Sequence, residues 1–362
     1  GYFEVNQRSG WRWNTAKAFL RPIMKRPNLT VWTHAQVKNL SIERNPSGEL
    51  VCNGAVVIKA GEEVVVKAVR ETVLCAGAIG TPQILELSGI GQGSLLQQHG
   101  IEVKLDKPGV GANLQDHLQI RAVFKVQGVK TLNTVANSLW GKAQIGMEYV
   151  FKRSGPMSMA PSQLGAFTKS SADRPYPNIQ YHVQPLSLPA FGQPLHNFNA
   201  FTASVCNLNP TSRGAVHIKN GNFSDAPAIS PNYLSTTEDQ KVAADSLRVT
   251  RNIAQQPALA KYQPEEYKPG TQFQSDAELA QLAGDIEAGT LLLDESSTGI
   301  NLTARSAPGH CQQELRALRR PVPDLRFADP PKCVVIGGDY GGGDANLKMH
   351  EDSLGIAYGW NI

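Results

Sequence analysis

Glu71-Thr72-Val73-Leu74-Cys75-Ala76-Gly77-Ala78-Ile79-Gly80-Thr81-Pro82-Gln83-Ile84-Leu85-Glu86-Leu87-Ser88-Gly89-Ile90-Gly91 is the stretch whose reading decides the fold of this chain. Its first five residues read as a buried strand. Ala76, Gly77 and Ala78 leave almost no side chain in the turn that follows, so a ligand or another backbone can come close. Thr81 is a good N-cap, Pro82 suits the first helical position, and Gly89 supplies a C-terminal stop. Ile84, Leu85 and Leu87 give the helix an apolar side. The expectation is a strand, a small-residue turn and a helix over 81–88. The helix N-terminus then points at a spot that favours an anion such as a pyrophosphate. Taken alone, the same residues also fit a tight strand-helix junction with no ligand.

The string Gly77 to Gly91 closely resembles the second signature of the glucose-methanol-choline (GMC) flavoprotein oxidoreductases, which is a specific motif. The likeness extends outward on both sides. Trp11-Arg12-Trp13-Asn14, Ala18-Phe19-Leu20-Arg21-Pro22 and Lys25-Arg26-Pro27-Asn28-Leu29 resemble the stretch before that signature. Pro108-Gly109-Val110-Gly111-Ala112-Asn113-Leu114-Gln115-Asp116-His117 resembles the loop that enters the substrate region. Ser154-Gly155-Pro156, Arg213-Gly214 and Pro231-Asn232-Tyr233-Leu234 continue the likeness, which runs over about residues 1–288 and is patchy afterwards. Its flavour is that of the bacterial choline dehydrogenase-like and aliphatic alcohol dehydrogenase-like members.

Composition is compatible with that resemblance. A chain of 362 residues with 41% hydrophobic residues can build the cores of about two domains. Charged residues make up 18%, below the common share of about 25%, which argues against disorder. The net charge of +4 has no concentrated basic run, so nucleic acid is not an expected partner. Arg316, Arg319, Arg320 and Arg326 read as a solvated surface. The five cysteines are widely spaced, fit a reducing compartment and give no zinc pattern. Cys75 reads as a small buried hydrophobe. No apolar run is long enough to span a bilayer and no signal peptide is visible, so Asn28-Leu29-Thr30 and Asn39-Leu40-Ser41 read as chance sequons. Residue 1 is Gly rather than Met, and the chain reads as incomplete.

Strands are expected over 29–33, 35–42, 51–59, 63–69 and 71–75, with turns at Asn45-Pro46-Ser47-Gly48 and Ala60-Gly61-Glu62. The resemblance makes this a strand that carries the adenine half of a flavin, followed by a β-meander. It matches Val37 to the position whose backbone contacts the adenine ring. By spacing alone, Val37 is equally one inward residue of an alternating strand. After a short helix near 95–99, strands are expected over 119–126, 178–184, 199–207 and 214–219. Thr237 to Gln240 has capping-box spacing and opens a helix with a broad apolar stripe through Val242, Ala243, Leu247, Val249, Ile253 and Ala254.

Two features that the resemblance calls for are absent from these residues. One is the Gly-x-Gly-x-x-Gly turn whose glycines let backbone reach the FAD pyrophosphate. Gly337-Gly338-Asp339-Tyr340-Gly341-Gly342-Gly343 has the wrong spacing and reads as a loop. The other is a His in a His-Pro-x-Gly-Thr context, which would accept the alcohol proton while hydride leaves for the flavin. Leu293 stands about where that base belongs, and leucine cannot take a proton. Asp324-Leu325-Arg326-Phe327-Ala328-Asp329 resembles the strand that leads to the flavin ring, but Pro330-Pro331-Lys332-Cys333 departs from it. Asp339 or Tyr340 falls near the second catalytic position, and Glu351 sits in a faint echo of the final helix. His310 and His350 lack the family's neighbours. His117, beside Asp116, reads as a structural hydrogen-bonding residue, and His182 and His217 read as packed or surface residues within strands. No histidine pair has metal-ligand spacing, and no Gly-x-Ser-x-Gly elbow is present.

The resemblance therefore implies an α/β fold. Residues 1–117 form part of an FAD-binding domain, 118–289 an α+β substrate-binding domain with an antiparallel sheet, and 290–362 a degenerate C-terminal part of the FAD-binding domain. It implies an FAD-dependent oxidoreductase acting on the CH–OH group of choline-like or aliphatic alcohols. Val37, Ala76 and Gly77 are the cofactor-binding candidates, and no catalytic residue is assigned. The implied partner is a small alcohol, with the electron acceptor left open, in the cytoplasm or at the periphery of the inner membrane. The competing reading is a non-catalytic fragment or decayed paralogue that binds no flavin.

Overall fold

Apolar and β-branched residues carry Ala35–Arg44 (β1), Leu50–Lys59 (β2) and Glu62–Lys67 (β3) into an antiparallel meander in that order. The computed structural model describes residues 1–159, 162–190, 192–288 and 333–337. These gather into two units, one from 15–115, 213–232 and 333–337, the other from 1–14, 116–212 and 233–288.

In the first unit the Asn45–Gly48 turn closes on itself, the Gly48 N–H donating to the Asn45 carbonyl at 2.8 Å. Glu71–Cys75 (β4) follows and leads into the helix Gly77–Leu87 (α1). The apolar side of α1, Ile84 and Leu85, packs with Leu40, Ile42, Ala55 and Val57 of the meander. The helix starts four residues before the expected Thr81, with Ile79 of its first turn buried against Leu114 and Val216. Pro82 therefore lies inside α1 and removes one interior N–H. Gly89 does end it, at φ +84°, a conformation that favours glycine. The expected strand over 29–33 is irregular backbone instead, with no ladder partner among the described residues. Trp32 there lies under the Lys59 ammonium, 4.0 Å from the ring centroid.

In the second unit five antiparallel strands stand in the order Leu164–Thr168, Ile179–Gln184, Ala200–Asn207, Gln119–Lys125 and Glu265–Lys268. Alternation gives the sheet two unlike faces. Ile120, Phe124, Ile179, Tyr181 and Val205 pack against Val242 and Leu247 of one helix and Leu279 of another, Thr237–Ala254 and Asp276–Ala288. The capping signal holds with a one-residue shift, since Thr236 rather than Thr237 accepts the Asp239 N–H, at 3.2 Å. Tyr181 reaches through the core to the Thr250 hydroxyl at 2.8 Å, and burial pushes its phenol up to about 12. Arg251 grips Glu266 with two bonds of 2.9 Å, fixing the long helix to the edge strand. The α/β class with an antiparallel second sheet is thus present.

Buried Asp239 ties the 207–212 loop to the start of that helix. Its carboxylate accepts the N–H groups of Ser212 at 2.8 Å and Thr211 at 2.9 Å, the Thr211 hydroxyl at 3.1 Å and the Asn207 amide at 3.2 Å. Burial alone would raise its pKa, but the bonds from Ser212 and Thr211 outweigh it and hold the group below the ordinary carboxylate value. This stabilisation is complete above the unfolded carboxylate's pKa of about 3.9 and disappears as pH falls through the lower folded value. Asp239→Asn should cost about 2 kcal/mol at pH 7 by urea unfolding. The gap between variant and parent should narrow below about pH 3. A variant as stable as the parent at pH 7 would show that the loop is held elsewhere.

Candidate functional site

Strand β4 pairs in parallel with Cys333–Gly337, in a register running from Cys333 opposite Glu71 to Gly337 opposite Cys75. The first residue of the expected glycine-rich loop therefore ends a strand, and 338–343 lie outside the described residues. The chain leaves β4 at Cys75, turns at buried Ala76 and enters α1 at Gly77. Ala76 belongs to the apolar cluster of Leu40, Ala55, Ile84 and Leu85, and Val37 of β1, opposite Val57, packs against that cluster too. The three cofactor candidates are thereby brought around one apolar cluster in one unit. Cys75, expected inside, is exposed at the end of its strand.

The start of α1 has the properties an anionic ligand needs. Gly77 has φ +72°, and a Cβ added there would meet nothing within 4 Å, so the backbone is bare and open. The preceding residue, Ala76, has no side chain to cap the first-turn N–H groups. Those donors and the positive end of the helix dipole lie at this turn. The residues present therefore fit the close approach of an anionic part of FAD, with Val37 nearby on the same cluster. The other end of α1 is fixed firmly. Fully buried Glu86 accepts the His217 Nδ1–H at 2.7 Å and the Ile218 N–H at 2.8 Å. The Ser88 hydroxyl takes the Leu40 N–H at 2.8 Å and donates to the Ile84 carbonyl at 2.5 Å.

The second unit offers a polar surface on the sheet face opposite its core. Gly165, His182, Ser204 and Arg121 are successive cross-strand neighbours in one row. The Phe3 ring lies 5.0 Å from the His182 ring, and burial holds the His182 pKa below the ordinary imidazole value. The Ser204 hydroxyl is buried with no hydrogen-bond partner among the described residues. This row was not singled out from the sequence, although the alternation of Gln119 and Arg121 with Ile120, Ala122 and Phe124 carries the signal. His117 has the expected structural role, with Nε2 3.2 Å from the Leu208 carbonyl. His217 lies in the other unit as the partner of Glu86. Leu293, His310, Asp339, Tyr340, His350 and Glu351 lie outside the described residues. Among the described residues no three His, Cys, Asp or Glu side chains converge on a metal position, and no helix is long and apolar enough to cross a membrane.

Asp116, beside His117, accepts the Tyr233 hydroxyl through one oxygen, while Oδ1 is buried with no hydrogen bond among the described residues. Burial raises its pKa above the usual carboxylate value, against the opposing pull of the Tyr233 hydroxyl and of His117. A raised acid pKa means that the charged form costs stability as pH climbs past about 3.9 and through the folded value. Asp116→Asn should therefore raise the midpoint of thermal unfolding at pH 7 and leave it unchanged near pH 3. A lower midpoint at pH 7 would show that the ionised carboxylate is stabilising.

Two family profiles, both described as GMC oxidoreductase, match residues 1–119 and 210–290. An alcohol dehydrogenase (acceptor) of Pseudomonas putida is 36% identical over 282 residues, which is 77% of this chain and 50% of that protein. An oxygen-dependent choline dehydrogenase of Klebsiella pneumoniae (strain 342) is 38% identical over 271 residues, 75% of this chain and 48% of that protein. The chain thus spans about half the length of the relatives it matches. Among solved structures, pyridoxine 4-oxidase from Mesorbium loti superposes with a TM-score of 0.62 at 27% identity, covering 77% of this chain and 50% of that one. Formate oxidase superposes with a TM-score of 0.67 at 22% identity, covering 77% and 52%, a likeness of fold.

Proposed function

The chain belongs to the GMC oxidoreductase family, and on that premise we propose that it forms part of an FAD-dependent oxidoreductase acting on the CH–OH group of a small alcohol, aliphatic or choline-like. The observation that carries this reading is the junction of β4, Ala76, Gly77 and α1, with Val37 on the same apolar cluster. The names of the relatives support the alcohol class. Val37, Ala76 and Gly77 are the residues we assign to FAD. When bound, FAD supplies the acceptor for the hydride taken from the alcohol carbon. The first N–H groups of α1 would hold its anionic centre. No described side chain is assigned as the proton acceptor. We assign 1–117 and 290–362 to the FAD-binding domain and 118–289 to the substrate domain, and place the protein in the cytoplasm. A second reading, a decayed paralogue that binds no flavin, draws on Leu293 at the expected place of the base and on the missing Gly-x-Gly-x-x-Gly.

The two readings separate in a titration. The purified 362-residue chain should be colourless and, even with excess FAD, should not reduce a dye with choline or medium-chain alcohols. Without the pyrophosphate-cradling glycines, hydride transfer lacks a rigidly held flavin. Added FAD should nevertheless bind weakly and saturably by fluorescence polarisation, and Gly77→Val should weaken that binding at least fivefold. No response to FAD would favour the second reading, while stoichiometric flavin absorbance in the purified chain would overturn the assignment of an incomplete cradle.

A further inference from the structure

The helix Leu132–Asn137 of the second unit is six residues long, too short to stand on propensity alone. Polar bonds hold it in place. The Asn199 amide oxygen takes the Thr131 N–H at 2.9 Å and the Thr134 hydroxyl at 2.8 Å. Fully buried Asn133 reaches from the helix to both ends of the connection between Ser187 and His196. Its Oδ1 accepts the Ser187 N–H at 2.8 Å. Its Nδ2 donates to the Ser187 carbonyl at 3.0 Å and to the His196 carbonyl at 2.9 Å. The His196 N–H donates in turn to the Ser187 carbonyl at 3.1 Å, closing the connection on itself.

One further bond joins the two ends, and its acceptor is titratable. The fully buried Ser187 hydroxyl lies 2.9 Å from His196 Nδ1. Its other neighbour is a donor, Asn133 Nδ2 at 3.1 Å. Among the described residues the hydroxyl proton therefore has one acceptor, the Nδ1 lone pair, which a neutral imidazole protonated on Nε2 provides. An imidazolium has no lone pair to give. Its Nδ1–H would turn on the Ser187 oxygen and leave a buried hydroxyl proton without a partner, which is costly. The surroundings of the ring act in the same direction. Burial holds the His196 pKa below the ordinary imidazole value, and the Lys268 ammonium adds to this. The neighbouring strands also bring Lys125, which lies 5.3 Å over Phe198, 4.9 Å over Tyr267 and 3.9 Å from the Glu265 carboxylate. Phe198 stacks on the His196 ring at 4.7 Å and Tyr267 meets it edge-on at 5.4 Å. The helix Leu132–Asn137 contributes no titratable side chain.

We propose that His196 and Ser187 form a pH-sensitive latch, closed by the neutral imidazole and released by its protonation, that ties both ends of this connection to the helix Leu132–Asn137. The folded pKa lies below the unfolded imidazole's value of about 6.5. The latch's contribution is therefore complete above about pH 6.5 and disappears as pH falls through the folded value. Asn133 carries no titratable group and keeps its own bonds, so acid loosens the two ends without unfolding the sheet behind them. All of these residues belong to the second unit and none touches the proposed flavin site, so the test leaves the oxidoreductase reading untouched.

Residue-resolved amide exchange and imidazole nitrogen NMR spectra of the 362-residue chain supply the test. Above about pH 7 the neutral His196 ring should carry its proton on Nε2. Protection of the Ser187 and His196 N–H groups, corrected for the intrinsic pH dependence of exchange, should fall about threefold or more between about pH 7.5 and about pH 5. Protection of Ala203 and Val205, in a strand paired on both sides, should stay unchanged. His196→Asn sets an amide oxygen that does not titrate near the place of Nδ1, and should keep the protection at both pH values. Ser187→Ala should lower it at both. A neutral ring protonated on Nδ1, equal protection of the parent at the two pH values, or an acid-induced loss that survives in His196→Asn would overturn the proposal.

Discussion

The carboxylate of Glu86, wholly removed from solvent, is the constraint on which the first unit depends. A buried carboxylate is costly unless its oxygens are filled, and here both are, by the His217 ring and the Ile218 N–H. The donors come from a segment 131 residues away in sequence, so one side chain joins α1 to the 213–232 piece of the chain. Breaking such a pair by removing one partner leaves buried donors unsatisfied at a cost of about 3 kcal/mol or more. Two further contacts share the load, Ser88 to Leu40 and the Gln83 amide to the Asp225 carbonyl at 2.9 Å. Together they fix the direction of α1, and with it where the bare backbone of Gly77 points.

The second unit solves a different problem with the same economy of means. Its sheet has one apolar face, sealed by two helices, and one polar face carrying Arg121, His182 and Ser204. The period of two along each strand makes both faces at once. A residue on the polar face is therefore free to serve chemistry without loss from the core.

Much of this was legible in the sequence because the signals were local. The meander over 35–67, strand β4, the strands near 119–126, 178–184 and 199–207, and the capped helix after Thr236 all follow from alternation, turn residues and caps. The misses share one cause, which is that the deciding partner is distant in sequence. Leu29–Thr33 has strand composition but no neighbouring strand to pair with among the described residues. Thr81 and Pro82 carry the chemistry of a helix start, yet packing of the Ala76 turn draws the start back to Gly77. Cys75 has an apolar strand's neighbours and still ends exposed. Gly337 looks like loop, and pairing with β4 makes it strand. The partner of His217 could not be seen because nothing near it in sequence announces a buried Glu86. Of the candidate residues, Val37 came through resemblance to the family and Ala76 and Gly77 also through the small side chains of their turn, whereas the His182–Ser204–Arg121 row needs the strand register.

The open start of α1 is the place where a flavin nucleotide would meet this chain. Amide hydrogen exchange of the 362-residue chain, with and without saturating FAD, addresses this most directly. The prediction is slowed exchange confined to the backbone around 35–39 and 76–79, and absent in Gly77→Val. Protection appearing only at other segments, or no change at 76–79 when FAD is bound, would contradict it.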